Sequence, residues 1–367
     1  MNTQIQDEFT FKNGQTMRNR VVLAPMTICA SEPGGYVSQA DIDFFARRSR
    51  SVGMVITGST YVHPLGKSFA ESFSGAEDDK IEGLSRLAKA IKDQGALAIV
   101  QLYHGGRMVL PDLIDGQPVA PSAVKAPRDY LAEPRALKNS EVEQVIEDFL
   151  SAIRRAIQAG FDGVELHGAN TYLIQQFVSP HSNVRQDKWG GSLNNRLRFP
   201  KTLLKRAKQL VKEEADRPFL IGYRFSPEEI EEPGIQLYDT LQLLEQLIYH
   251  QVDYLHISTS DVWRSSIRDS QDSEPVIQKI IRKINDRVPL IGVGQIETKQ
   301  DAQRVLDAGI PLFALGKALL LDPDWTEKVV SGREAEVIRA YRDELQADLA
   351  LPTAFVEDAR SYLEGKD

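Results

Sequence analysis

The stretch Gly163-Val-Glu-Leu-His167-Gly-Ala-Asn170-Thr-Tyr172-Leu-Ile-Gln-Gln-Phe decides how the chain is read. It runs from an apolar strand directly into three polar side chains, His167, Asn170 and Tyr172. A neutral imidazole and a carboxamide can together hold one substrate oxygen by hydrogen bonds, and a phenol two residues further on can deliver a proton. Position matters as much as type, because the carboxyl ends of strands are where parallel α/β folds build their sites. Alone, the triplet reads as a polar strand-to-helix loop without chemistry. The rest of the chain overturns that reading.

Short apolar runs recur at 21–24, 53–58, 96–102, 163–167, 219–224, 252–258, 289–293 and 311–315. They are rich in Val, Ile and Leu without strict alternation, as strands buried on both faces are. Amphipathic segments separate them at 39–51, 80–93, 140–159, 193–216, 238–250, 275–286 and 299–308. Several close on a turn cue: Gln94-Gly95, Ala159-Gly160 and Ala308-Gly309. Eight strands alternating with helices predict a (β/α)₈ TIM barrel of the α/β class. A doubly wound sheet is the alternative. Two observations favour the barrel: polar candidates follow nearly every strand and converge only if the sheet closes, and no Gly-x-Gly-x-x-Gly turn follows the first strand.

The whole of 1–367 reads as one domain with three additions. Within 1–18, an Asn13-Gly14 turn predicts a β-hairpin capping the amino-terminal mouth. The segment 110–139 is the longest without periodicity and predicts a long loop after strand three, of the kind that covers a ligand. Residues 326–367 predict carboxy-terminal helices, packed outside the barrel or against a partner subunit.

Composition narrows the function classes. The chain is 42% hydrophobic and 26% charged, ordinary for a soluble protein with a large core. A net charge of −8, from 44 basic and 52 acidic residues, argues against a nucleic-acid or anionic-membrane surface. No apolar run approaches the roughly 20 residues of a membrane span. The start, MNTQIQDEFTF, lacks a signal-peptide pattern. Cys29 is the only cysteine, which excludes internal disulfides and cluster binding and fits a reducing cytoplasm. No metal site is expected.

These motifs resemble the Old Yellow Enzyme family of FMN-dependent ene-reductases, which are NADH:flavin oxidoreductases. The likeness runs from Asn19-Arg20-Val-Val-Leu-Ala24-Pro25-Met26-Thr27 to Gly316-Lys317-Ala-Leu-Leu-Leu-Asp322-Pro323. Between them lie Val100-Gln101-Leu-Tyr-His104-Gly-Gly-Arg107, the His167 motif, and the run from Ser179 through Arg185, Asp187 and Gly190-Gly191 to Arg196. In this order and spacing they are specific.

The resemblance implies a tightly bound FMN, with NADH or NADPH as reductant. Ala24, Pro25, Met26 and Thr27 would form the flavin-binding turn, the Thr27 hydroxyl donating to the carbonyl near N5. Ser59 and Gln101 would meet the pyrimidine edge, and Arg224 would sit by N1, where a fixed cation stabilises reduced flavin. Gly294, Gln295, Gly316 and Lys317 would cradle the phosphate, glycines allowing close backbone approach and a cation adding charge. The family usually has arginine where Lys317 stands, so the bidentate fork is lost.

By the same resemblance His167 and Asn170 would grip a substrate carbonyl or nitro oxygen. Flavin N5 would deliver hydride, and Tyr172 would protonate the neighbouring carbon. Substrates would be enals, enones, nitroalkenes or quinones. The implied partners are an activated alkene and a nicotinamide nucleotide, with no nucleic acid and no membrane; a homo-oligomer stays open. The alternatives are an enoyl-thioester reductase-like flavoenzyme without an iron–sulfur cluster, a flavin-free barrel such as an aldolase, and a non-catalytic flavin-binding redox sensor. Arg185, Asp187 and Arg196 read as a structural network, and Cys29 receives no catalytic role.

Overall fold

Eight parallel strands close on themselves in sequence order. The computed structural model describes residues 3–364. The barrel strands are Val21–Leu23 (β1), Met54–Tyr61 (β2), Leu97–Tyr103 (β3), Gly163–Gly168 (β4), Leu220–Phe225 (β5), Tyr254–Ile257 (β6), Leu290–Val293 (β7) and Leu312–Leu315 (β8). Each expected run carries one. Closure comes from β8 pairing with β1, where Phe313 faces Val21 and Leu315 faces Leu23. The doubly wound alternative is thereby excluded.

Side chains alternate in and out along each strand, so the interior splits into two halves. Near the amino ends, Val22, Met54, Ile99, Leu220, Ile291 and Leu312 form one apolar cluster. Near the carboxyl ends the inward residues turn polar: Gln101, Glu165, His167, Arg224 and His256. The first half holds the barrel together; the second is free for chemistry.

The predicted hairpin exists, Phe9–Thr10 pairing antiparallel with Thr16–Met17, and Gly14 supplies the turn with φ of +91°. Phe11 and Met17 join the interior apolar cluster, and the Phe11 ring lies 6.2 Å from that of Tyr254. Gln15 Nε2 donates to the Asp162 carbonyl at 3.0 Å. The hairpin therefore closes the amino-terminal mouth. Residues 1 and 2 of the expected 1–18 cap lie outside the described residues.

Other expectations need adjustment. The segment 193–216 forms two helices, Leu193–Arg196 and Arg198–Glu214, broken at Leu197. The 110–139 loop contains a 3₁₀ turn, Pro111–Leu113, and a short parallel pairing of Val119–Ala120 with Arg135–Ala136. Arg185 fastens it, donating to the Pro121 carbonyl at 2.7 Å while Asp187 pairs with the same guanidinium. The helical expectation for 326–367 holds only in part. Helices Trp325–Val330 and Thr353–Glu364 flank a stretch with only the 3₁₀ turns Glu334–Glu336 and Asp343–Leu345. Gly332, at φ of +79°, ends the first helix. Beyond it the buried Tyr341, Leu349 and Leu351 do not share a helical stripe. Residues 365–367 lie outside the described residues. Among those described, no helix is long and apolar enough to cross a membrane.

Candidate active site

Strand register brings the site together. His167 of β4 pairs with Arg224 of β5, and Arg224 pairs in turn with His256 of β6. One layer below, Ser59 pairs with Gln101 and Gln101 with Glu165. These inward residues share one mouth because the sheet is closed.

His167 is buried, and its Nδ1 accepts from the Ala169 N–H at 3.3 Å. That contact assigns the ring proton to Nε2. Burial first, then the charge of Arg224 and the neighbouring His256, hold its pKa well below the ordinary imidazole value. His167 is a neutral donor. Asn170 sits at the rim with φ of +54°. Two serines hold it: its N–H donates to Ser226 Oγ at 3.0 Å, and its Oδ1 accepts from Ser258 Oγ at 2.7 Å. Its amide hydrogens are left for another partner.

The Tyr172 ring stands edge-on to His167 at 4.9 Å and to Tyr103 at 5.2 Å. Burial pushes its pKa up to about 12, against the opposing pull of Arg224. Tyr172 therefore keeps its proton at any ordinary pH. Tyr130, exposed on the 110–139 loop, also acts on the Tyr172 phenol, so this loop reaches the mouth.

The Ala24–Thr27 turn lies against β2, and Gly58 makes that approach feasible. A Cβ on Gly58 would stand 2.6 Å from the Met26 carbonyl oxygen. The Thr27 oxygen accepts from the Ser59 N–H at 3.1 Å, which leaves its own proton free to donate. Ser59 Oγ donates to Gln101 Oε1 at 3.2 Å, and Gln101 Nε2 donates to Glu165 Oε1 at 2.8 Å. Arg224 is half-buried, and its enclosed Nε has no hydrogen-bond partner. Among the described residues it makes no salt bridge.

After β7 and β8 a cavity of about 400 Å³ opens between Gly294, Gln295, Gly316 and Lys317. Gly294 has φ of +113°, and a Cβ there would stand 2.7 Å from the Asp261 backbone nitrogen. Lys317 Nζ sits 4.8 Å over the Tyr362 ring from helix Thr353–Glu364. No local sequence pattern signals that contact. A second recess of about 330 Å³ adjoins it, lined by Asn170, Ser226, Ser258 and Arg264. A larger crevice of about 540 Å³ lies at the hairpin end, between Lys12, Lys208, Asp253 and Arg287. No predicted site residue lines it, and Lys208 is already paired to Asp253 at 2.9 Å.

Two residues escaped the sequence reading. Glu165 and His256 face inward beside the predicted set, His256 Nδ1 lying 2.9 Å from Glu165 Oε2. The signal was available: Glu165 is two residues before His167 on one strand and so shares its face. Cys29, at φ of +47°, is half-buried, and burial first, then Asp358 and Glu71, raise its pKa. It is a poor thiolate.

Donors after β4, an unpaired arginine on the adjoining β5 and a glycine-lined cavity after β7 and β8 are together what a flavin-binding barrel needs. Residues 7–336 match the NADH:flavin oxidoreductase / NADH oxidase family, and the chain belongs to it. It is 45% identical over 332 residues to a probable NADH-dependent flavin oxidoreductase of Bacillus subtilis, covering 90% of this chain and 89% of that protein. It is 47% identical over 340 residues to an NADH:fumarate oxidoreductase of Klebsiella pneumoniae, covering 92% of this chain and 37% of that protein. The chain thus spans little more than a third of that relative's length. Among solved structures it resembles an Old Yellow Enzyme homologue from Zymomonas mobilis (TM-score 0.79, 26% identity, 90% of this chain and 93% of that one). It also resembles morphinone reductase (TM-score 0.80, 25% identity, 97% and 93%).

Proposed function

We propose that the chain binds FMN tightly at the barrel mouth, takes reducing equivalents from NADH or NADPH, and reduces carbon–carbon double bonds activated by a carbonyl or nitro group. The observation that carries this is the triplet's geometry. A neutral His167 presents Nε2–H, Asn170 presents amide hydrogens, and a protonated Tyr172 stands edge-on at 4.9 Å.

The residues present fit the cofactor. Arg224 offers an unpartnered Nε–H, Gln101 and Ser59 offer a polar edge, and the glycine-lined cavity after β7 and β8 suits a phosphate. Bound FMN would supply the hydride chemistry that links a nicotinamide to an alkene. Thr27, Ser59, Gln101 and Arg224 would orient the ring; Gly294, Gln295, Gly316 and Lys317 would hold its phosphate. His167 and Asn170 donate to the substrate oxygen and bind more strongly as it gains negative charge. Tyr172 gives its proton to the α-carbon and regains one from solvent.

A second reading rests on chain length. Relatives named for fumarate (Klebsiella pneumoniae) and acrylate (Vibrio harveyi) extend far beyond the matched region, which is 37% and 36% of them. Their alkene chemistry can therefore lie elsewhere, leaving such a barrel to oxidise NADH and pass electrons on. Anaerobic stopped-flow separates the two. The NADH- or NADPH-reduced protein is mixed with enals, enones, nitroalkenes, fumarate and a quinone. Reoxidation by an alkene supports the first reading; reoxidation by the quinone alone supports the second. Purified protein that releases no flavin on denaturation refutes both.

A further inference from the structure

Glu165 is fully buried beneath the mouth, yet it is a carboxylate with three neighbours of consequence. Gln101 Nε2 donates to its Oε1 at 2.8 Å, His256 Nδ1 lies 2.9 Å from its Oε2, and Arg224 acts on it through space. Its register partner on β5 is Gly222, where a Cβ would stand 2.0 Å from the Tyr254 ring. The space beside Glu165 is thus kept for a phenol and sealed from water. A charge so enclosed persists only if its surroundings are built for it.

We infer that Glu165 is a positioning residue for the cofactor's pyrimidine edge: it fixes which atoms of Gln101 and His256 face the mouth and offsets the charge of Arg224. The inference rests on the FMN reading for its ligand but not for its geometry. Because both carboxylate oxygens accept, Gln101 must turn its NH₂ down toward Glu165, which leaves Oε1 beside Ser59 as the acceptor above. For the same reason His256 must carry its proton on Nδ1, so its buried Nε2 is a bare acceptor without a partner.

Protonation states agree. Burial pushes the Glu165 carboxyl up, but the hydrogen bonds from His256 and Gln101 and the charge of Arg224 outweigh it and hold the pKa below the ordinary carboxylate value. Burial, with Arg224, holds His256 low against the pull of Glu165. The pair is a carboxylate and a neutral imidazole rather than an ion pair. Reduced flavin gathers negative charge at the edge Arg224 would serve, so the Glu165 charge disfavours reduction.

The test uses the purified flavoprotein and two variants. Glu165→Gln removes the charge at constant shape and cannot accept from both donors. It should raise the preference for reduced over oxidised FMN more than threefold, on the order of tenfold, which is about 30 mV for a two-electron couple. Glu165→Asp keeps the charge and should stay within threefold. A shift of threefold or less in the first variant, or equal shifts in both, overturns the assignment. Nitrogen NMR of the histidines in the wild-type protein, with or without flavin, decides the matter if a variant fails to fold. His256 should be neutral and protonated on Nδ1 at neutral pH; the Nε2–H tautomer or an imidazolium overturns the assignment. A protein that binds no FMN removes the functional reading, while the imidazole spectrum still tests this one.

Discussion

At the scale of single residues, the proposed function divides the chemistry between groups that would hold an oxygen and one that would give a proton. Tyr172→Phe keeps the ring packed against His167 and Tyr103 but removes the hydroxyl. It should leave reduction by NAD(P)H within a few-fold and slow reoxidation by an alkene at least ~100-fold, the scale of a positioned acid. Equal losses in both half-reactions, measured by stopped-flow, would remove the proton-donor role. Replacing His167 by Ala withdraws a neutral donor, and the alkene half-reaction should fall by about 10²–10³-fold. Since burial holds the Tyr172 pKa near 12 and the His167 pKa well below its usual value, neither group titrates between pH 6 and pH 10. The alkene half-reaction should be flat across that range; a bell centred near neutrality would contradict both assignments.

At the scale of elements, the strands were legible because each is buried on both faces and bounded by turn residues. The inward polar layer was legible only in part, through Gln101, His167 and Arg224. Glu165 and His256 lie inside runs that read as apolar, and only barrel closure shows that they meet across β4, β5 and β6. The hairpin was legible from Asn13-Gly14; its role follows from Phe11, which fills the interior. Phe11→Ala should cost roughly 3–5 kcal/mol, as a large core truncation does. Denaturant unfolding measures it, and a loss below about 1 kcal/mol would mean that the hairpin only rests on the barrel. The split at Leu197 and the pairing inside the 110–139 loop had no local signal, since both are set by what they pack against.

At the scale of the whole molecule, buried ionisable groups set the response to acid. His104, His167 and His256 are buried and held below the ordinary imidazole pKa, chiefly by burial, His104 at about 3. A depressed pKa means that the unfolded chain binds protons which the folded chain refuses. Their stabilisation is complete above about pH 6.5 and lost as pH falls below it. Burial raises the pKa of Asp41 to about 6 and also raises those of Asp148 and Asp253, and these oppose the trend. The three deeply buried imidazoles outweigh these carboxyls, so stability should drop between pH 7 and pH 5. Calorimetry that finds equal or higher stability at pH 5 would refute this. The contact between Lys317 and Tyr362 carries a different consequence. It joins the cavity wall to the helix Thr353–Glu364, so the hold on a cofactor seated there would depend on that helix as well. Residence time is then a property of residues 353–364 rather than of the pocket alone. Tyr362→Ala should hasten release of bound flavin on dilution while leaving its spectrum unchanged.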